Sequence, residues 1–268
     1  MINLKKSFED ALEFVNNKTC FVRCDLNLPH IDGKFSDYTR LDKAIPTIKE
    51  ILLRNGKIIL ISHFGRPNGK FNEIFSLKPI VPLLEKRLGK IIKFCDEDIK
   101  NSDKLKKKIN KLDSGNVLLL ENIRFYKEEE QNDLNFSKNL SSLADIYINE
   151  SFSSSHRNHS SITGISAFLP SFPGKLFQYE LQNLNKVVRE MQKENSIAVL
   201  GGSKVSTKIK IIENLAKKFN KILIGGAMAN TFLASQGINI GKSFCESRML
   251  EKTNLIYKEN KAKIILPI

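Results

Sequence analysis

Four strand-like runs in the first 160 residues each end in a cluster of basic and amide side chains. Phe21–Asp25 runs into Leu26-Asn27-Leu28-Pro29, Lys57–Ile61 into Ser62-His63-Phe64-Gly65-Arg66-Pro67, and Val117–Leu120 into Glu121-Asn122-Ile123-Arg124. Asp145–Ile148 runs into Asn149-Glu150-Ser151-Phe152 and then His156-Arg157-Asn158-His159. A fifth run, Lys90–Cys95, ends without Arg, His or Asn, at Asp96. An open parallel sheet binds ligands in the crevice outside the carboxyl ends of its strands. Arginine and histidine gathered there suit a small polyanion such as a phosphorylated carboxylic acid. Each residue also has a local alternative: Asp25 and Asn27 suit a turn cap, Asn122 suits loop backbone, and Arg66 and Arg124 suit ion pairs.

A second constellation is Ala198-Val199-Leu200-Gly201-Gly202-Ser203-Lys204-Val205-Ser206-Thr207-Lys208. A strand meets two glycines before a helix. Glycine allows close backbone approach, and a helix N-terminus favours anions. With the helix beginning at Ser206, Lys204 and Lys208, four apart, are expected on one face of its first turns. Ile224-Gly225-Gly226-Ala227 repeats the strand–Gly–Gly–helix arrangement and suits an adenine laid against backbone. An ordinary tight turn with solvated lysines is the competing reading.

Two other patterns do not carry chemistry. Gly237-Ile238-Asn239-Ile240-Gly241-Lys242-Ser243 has three residues between its glycines where a P-loop needs four, and it follows a helix. His156-x-x-His159 lacks the acidic or thiol companions of a metal site, and no metal ligand is assigned.

The elements around these residues alternate. A helix over Arg40–Asn55 carries Leu41, Ala44, Ile45, Ile48, Ile51 and Leu52 at helical spacing and stops at Gly56. Ser76 is placed to cap a helix carrying Leu77, Ile80, Leu84 and Leu88, which stops at Gly89. Helices over Ser102–Leu112 and Asp133–Leu143 separate the remaining strands. Residues 151–174 break this rhythm, and a helix is expected from Lys175 to Lys193, with Met191 among its apolar positions. The alternation resumes with strand Ser196–Leu200, helix Ser206–Phe219, strand Lys221–Ile224, helix Ala227–Gln236, a helix near Ser247–Glu259 and strand Lys261–Leu266.

The fold class is therefore α/β: two Rossmann-like three-layer parallel-sheet domains joined by a helix. The expected boundaries are 1–174, a joining helix at 175–194, and 195–268. Three strands are fewer than the usual four to six or so, so the second domain is expected to be incomplete.

The 268 residues give ample core for two domains. No apolar run reaches the roughly 18–20 residues of a membrane span, and the start lacks the apolar stretch of a signal peptide. A soluble, cytoplasmic protein is expected. Cys20, Cys24, Cys95 and Cys245 form no Cys-x-x-Cys and read as free thiols. The net charge of +14 comes largely from lysines on solvated helix faces, such as Lys104, Lys106, Lys107, Lys108 and Lys111. No aromatic-interleaved basic stripe marks a nucleic-acid surface.

At these residues the chain resembles the phosphoglycerate kinase family, and nearly the whole chain takes part. Val22-Arg23-Cys24-Asp25-Leu26-Asn27-Leu28-Pro29 is similar to the family's Arg-x-Asp-x-Asn-x-Pro. Asp37-Tyr38-Thr39-Arg40 matches Asp-x-Thr-Arg, and Ser62-His63-Phe64-Gly65-Arg66-Pro67 matches Ser-His-x-Gly-Arg-Pro. Leu120-Glu121-Asn122-Ile123-Arg124-Phe125 and Gly201-Gly202-Ser203-Lys204-Val205-Ser206-Thr207-Lys208 match two more motifs.

The resemblance implies reversible phosphoryl transfer between ATP and 3-phosphoglycerate, giving ADP and 1,3-bisphosphoglycerate, with Mg2+. It implies a phosphoglycerate-binding first domain, a nucleotide-binding second domain, hinge closure, and a monomer. Asp25, Asn27, Arg40, His63, Arg66, Arg124 and Arg157 would bind 3-phosphoglycerate. Gly201, Gly202, Lys204, Lys208, Gly225 and Gly226 would bind nucleotide. Arg40 and Lys204 would stabilise the phosphoryl group in flight.

The chain departs from the family in two places. Asn149-Glu150-Ser151-Phe152-Ser153 stands where the family has Asn-Asp-Ala-Phe-Gly. The family also continues beyond the Leu266-Pro267 equivalent into more nucleotide domain, so weak or absent kinase turnover is expected of the 268 residues alone. The competing readings are a non-catalytic anion- or nucleic-acid-binding protein and a degenerate fragment.

Overall fold

The computed structural model describes residues 4–31, 34–190 and 196–268. The chain forms two compact units, Ile2–Gln182 and Asn183–Ile268.

In the first unit, six parallel strands are β1 (Thr19–Arg23), β4 (Lys57–Ile61), β5 (Ile92–Cys95), β6 (Val117–Leu120), β7 (Ile146–Asn149) and β8 (Ser171–Pro173), ordered β5-β6-β4-β1-β7-β8. A small hairpin, β2 (His30–Ile31) with β3 (Lys34–Phe35), follows β1. The helices are α1 (Phe8–Leu12), α2 (Thr39–Leu53), α3 (Val81–Leu88), α4 (Ser102–Asn110), α5 (Lys127–Gln131), α6 (Leu134–Ser141) and α7 (Lys175–Glu190).

The strands read as near-continuous apolar runs because both sheet faces are covered. Val22, Leu60, Leu119 and Ile148 face one layer with Leu41 and Ile48 of α2 and Leu84 of α3. The alternate residues Phe21, Ile59, Leu118 and Tyr147 face the other, with Leu105 and Ile109 of α4 and Phe136 and Leu140 of α6. In register, Phe21 lies between Ile59 and Tyr147. All six apolar positions expected on α2 are buried. α2 is started by Asp37, whose Oδ1 accepts the Thr39 N–H at 2.6 Å. This sets Arg40 in the first helical turn.

Two local expectations need correction. Ser76 does not cap α3: it closes a short 3-10 turn, Glu73–Phe75, and its hydroxyl accepts the Lys78 N–H at 3.1 Å. α3 begins instead at Val81 with Pro82 in its first turn and ends on Gly89 at φ +64°. β8 lies where no strand was expected; its terminal Pro173 lacks an N–H, which an edge strand tolerates. The expected joining helix runs from Lys175 to Glu190, while Met191 to Lys193 lie outside the described residues.

The second unit has parallel strands β9 (Ile197–Leu200), β10 (Lys221–Ile224) and β11 (Ile264–Ile265) in the order β11-β10-β9. Its helices α8 (Ile209–Lys218), α9 (Ala227–Ser235) and α10 (Leu250–Glu259) supply Ile209, Ile212, Met228, Phe232 and Ile256 to one core with Ala198, Ile222, Ile224 and Ile264. On the opposite sheet face Ile197 and Val199 are exposed. Among the described residues, no helix is long and apolar enough to cross a membrane.

Candidate functional site

β1 lies between β4 and β7, and the chain leaves β1 and β7 toward opposite sides of the sheet. That arrangement opens a crevice at their carboxyl ends. Asp25 stands there. Its carboxylate accepts from Arg40 Nη1 at 3.0 and 3.2 Å, from the Ser153 hydroxyl at 2.6 Å and from the Asn27 N–H at 3.2 Å. Asp25 therefore forms both the turn and the ion pair. Asn27 ties the loop to the next strand end: its Oδ1 accepts the Gly65 N–H at 2.8 Å and its carbonyl accepts from Arg40 Nη1 at 3.1 Å. Arg40 makes these contacts through Nη1, and its side chain is 48% exposed.

His63 is buried under arginines. Burial, then the charges of Arg23, Arg124, Arg157 and Arg40, hold its pKa far below the ordinary imidazole value, so the ring is neutral. Arg124 donates from Nη1 to the Gly65 carbonyl at 2.9 Å. Its buried Nε has no hydrogen-bond partner among the described residues: Glu130 Oε1 lies 3.3 Å away but off the donor direction. Burial and the neighbouring Arg157 push the Arg124 pKa down. Arg66 is exposed, and neither its side chain nor that of Arg157 makes a hydrogen bond or ion pair among the described residues. The structure thus gathers a neutral donor and several guanidiniums with too few carboxylates to balance them.

The Arg124 loop is fixed by Asn122, which is fully buried. Its Nδ2 donates to the carbonyls of Phe64 and Phe75 at 2.7 and 2.9 Å. Its Oδ1 accepts the N–H groups of Phe64 and Arg124 at 3.2 and 3.0 Å. The loop-backbone reading of Asn122 is the one realised.

Beside Asp25 lies a cavity of about 410 Å³ whose lining includes Thr39, Arg40, Lys43, Glu150, Phe152 and Ser153. His63, Arg66, Arg124 and Arg157 do not line it. Sequence reasoning missed Ser153 as a partner of Asp25, and it missed Arg23. Arg23 shares the buried sheet face of Phe21, and a charge in phase with a buried apolar run is the signal that could have found it.

Glu150, where the family motif has the shorter acid, turns inward. Its Oε1 accepts the Thr47 hydroxyl at 2.7 Å and the Leu176 N–H at 3.2 Å. Thr47 in turn accepts the Lys175 N–H at 2.9 Å, so the two side chains satisfy the first turn of α7. Glu150 Oε2 is buried against Gly174, where any Cβ would collide with it, and has no hydrogen-bond partner among the described residues. Burial raises the Glu150 pKa to about 7.

In the second unit the expected helix start moves. α8 begins at Ile209, and residues 206–208 form a turn, so Lys204 and Lys208 do not share its first turns. The reason is Glu246, which accepts the Ser206 N–H at 3.0 Å and the Ser206 hydroxyl at 2.6 Å, while buried Val205 anchors the segment. Lys208 instead reaches back over the glycine turn: its Nζ lies 3.2 Å from where a Cβ on Gly202 would sit. The two glycine turns are tied by the Met228 N–H donating to the Gly202 carbonyl and the Gly225 N–H to that of Leu200, both at 2.8 Å. Gly201 has open space where a Cβ would be, and Gly225 has only the Leu200 carbonyl at 4.0 Å. These turns can receive a flat or phosphorylated group against backbone, with Lys208 near.

Gly226 has φ +67°, and a Cβ there would sit 3.0 Å from Gly202 O. Gly226→Ala is expected to destabilise the second unit by about 1–2 kcal/mol. Chemical denaturation measures this, and an unchanged midpoint would show that the two turns are not in close contact. The Gly237–Ser243 segment ends α9: Gly237 has φ +82° and the Ile238 N–H bonds the Leu233 carbonyl at 3.1 Å.

A family profile described as phosphoglycerate kinase matches residues 10–268. The phosphoglycerate kinase of Wolbachia pipientis wMel is 45% identical over 260 residues, covering 94% of this chain and 63% of that protein. That of Finegoldia magna is 43% identical over 267 residues, covering 98% and 67%. Among solved structures, phosphoglycerate kinase from Coxiella burnetii matches with a TM-score of 0.82 at 34% identity, over 95% of this chain and 64% of that one. Phosphoglycerate kinase from Pyrococcus horikoshii matches with a TM-score of 0.78 at 27% identity, over 95% and 65%. The chain spans 63% of the length of the Wolbachia relative.

Proposed function

The chain belongs to the phosphoglycerate kinase family, and on that basis we propose that its first unit binds 3-phosphoglycerate for reversible phosphoryl transfer with ATP in the cytoplasm. The observation that carries this reading is the basic cluster: Arg23, Arg124, Arg157 and Arg40 charge the surroundings of a neutral His63, Arg66 is exposed three residues after it, and among the described residues the side chains of Arg66 and Arg157 make no hydrogen bond or ion pair. A phosphate dianion supplies the charge and acceptors that this cluster lacks.

In this reading His63, Arg66, Arg124 and Arg157 hold the phosphate end of the substrate, and Asp25 and Asn27 hold its hydroxyl and carboxylate side. Arg40, fixed on Asp25 through one nitrogen, offers the rest of its guanidinium to the phosphoryl group in flight. The acceptor is already a carboxylate, so no general base is required, and the residues work by placing reactants in line and neutralising charge on the equatorial oxygens. Gly201, Gly202, Gly225 and Gly226 form the nucleotide's bed. Lys208 holds its phosphates and Lys204 meets the transferring group. Magnesium would be carried by the nucleotide phosphates and would neutralise their charge; no side chain of this chain is assigned to it.

Titration calorimetry of 3-phosphoglycerate tests the first-unit site. Arg66→Ala is expected to weaken binding about ten- to hundredfold, the size of one lost charge-assisted contact. Equal heats for wild type and variant would overturn the assignment. Duplex DNA binding that collapses with salt, without phosphoglycerate binding, would favour a nucleic-acid partner instead.

A further inference from the structure

Beneath the basic cluster a chain of buried groups leads away from His63. Arg23 is 1% exposed, and its guanidinium meets three partners. Nη2 lies 3.1 Å from His63 Nδ1, and Nε donates to the Ser161 hydroxyl at 3.1 Å, while Nη1 donates to the Cys24 carbonyl. Ser161 lies in a π-helical turn, Ser160–Gly164, and is fully buried. Its hydroxyl donates to Glu129 Oε1 at 2.6 Å and its N–H to Glu129 Oε2 at 2.8 Å. Glu129, on α5, is also fully buried, with His159 Nδ1 3.6 Å from its Oε1. Tyr147 closes the network by donating to the Ser161 carbonyl at 2.8 Å.

Two physical facts give this chain a direction. A guanidinium stays protonated and can only donate, so His63 Nδ1 must accept from Arg23 and the ring proton resides on Nε2. A buried cation also needs a counter-charge and filled hydrogen bonds, which Glu129 supplies through the serine hydroxyl. We propose that Glu129 and Ser161 are positioning residues that act through Arg23 to hold His63 as a neutral imidazole protonated at Nε2, a donor for the bound anion. The purpose assigned to this relay rests on the phosphoglycerate-binding reading above. A neutral donor serves that site better than an imidazolium, because it adds a hydrogen bond without adding another charge to those of Arg23, Arg124, Arg157 and Arg40.

Nitrogen NMR of the imidazole rings tests the relay, and four histidines make assignment by single substitution practical. In the ligand-free chain at neutral pH, His63 is expected to show a bare Nδ1 and a protonated Nε2, unchanged when 3-phosphoglycerate is added. Ser161→Ala is expected to yield mixed His63 tautomers and a Kd for 3-phosphoglycerate raised about five- to tenfold, the size of one neutral hydrogen bond. Glu129→Gln should give the same tautomer mixture, and Ser161→Thr, which keeps the hydroxyl, should restore the single form. A wild-type His63 that is charged or protonated at Nδ1 overturns the proposal without any variant. So does a Ser161→Ala spectrum identical to wild type. The expected tautomer with no heat of 3-phosphoglycerate binding in calorimetry supports the relay and overturns the binding reading instead.

Discussion

Asn122→Ala is expected to lower the unfolding free energy by about 3–5 kcal/mol and to weaken 3-phosphoglycerate binding at the same time. The side chain has no exposed surface and makes four hydrogen bonds to backbone: two carbonyls and two N–H groups in three separate stretches of chain. Truncation leaves these buried groups without partners, and each orphaned group costs about 1–3 kcal/mol before water or relaxation recovers part of it. The binding loss follows from the same contacts, because Asn122 holds the backbone of Phe64 beside His63 and that of Arg124. Asn122→Asp keeps the acceptor but turns a buried carboxylate oxygen onto the Phe64 and Phe75 carbonyls, so it should be at least as destabilised as Ala. Denaturant midpoints and calorimetry check both effects. A stability loss under about 1 kcal/mol for the Ala variant would show that the loop backbone finds its partners elsewhere.

Glu150→Gln is expected to be most stabilising at alkaline pH. The folded pKa of Glu150 is raised from 4.5 to about 7 by burial. Between those values the folded state binds more protons than the unfolded state, so stability falls as pH rises. The contribution is intact below pH 4.5 and has been lost above about pH 7. A shift of this size corresponds to at most about 3 kcal/mol. Gln removes the titration while keeping an acceptor for Thr47 Oγ1 and the Leu176 N–H. Relative to wild type, its stability should therefore gain up to about 3 kcal/mol between pH 4 and pH 8. Parallel stability curves for the two proteins across that range would mean that Glu150 is not buried as described. The site of the effect matters because Glu150 and Thr47 together cap α7.

Much of the first unit was legible because its sheet is covered on both faces, which forces unbroken apolar runs bounded by polar turns. The boundaries slipped for a local reason. The run Phe21–Asp25 ends in residues that have left the β1–β4 pairing, which covers Thr19–Arg23, although the Cys24 N–H still bonds the Ile61 carbonyl at 3.0 Å. β8 was not legible: three residues containing Ser and Pro carry no periodic signal, and only pairing with β7 makes them a strand. Ser76 does not reach α3 because a 3-10 turn, Lys78–Ile80, comes first, and the Ser76 hydroxyl accepts the Lys78 N–H at the start of that turn. Glu121 accepts the Ser76 hydroxyl at 2.7 Å and the Leu77 N–H at 2.9 Å, drawing both toward β6. The early start given to α8 failed through Glu246, which lies 40 residues further along the chain.

The sequence by itself determined the α/β class, the family, and the kinds of side chain at the strand ends, because strand periodicity and motif spacing are local properties written within a few residues. Only the tertiary structure decided how those side chains are used. It made Asn122 a brace, made Glu150 part of a helix cap, and brought Ser153 onto Asp25 from 128 residues away. It also placed Arg23 between His63 and Ser161, at separations of 40 and 138 residues. Burial and charge at such distances depend on which chain segments meet, and no spacing along the sequence records that.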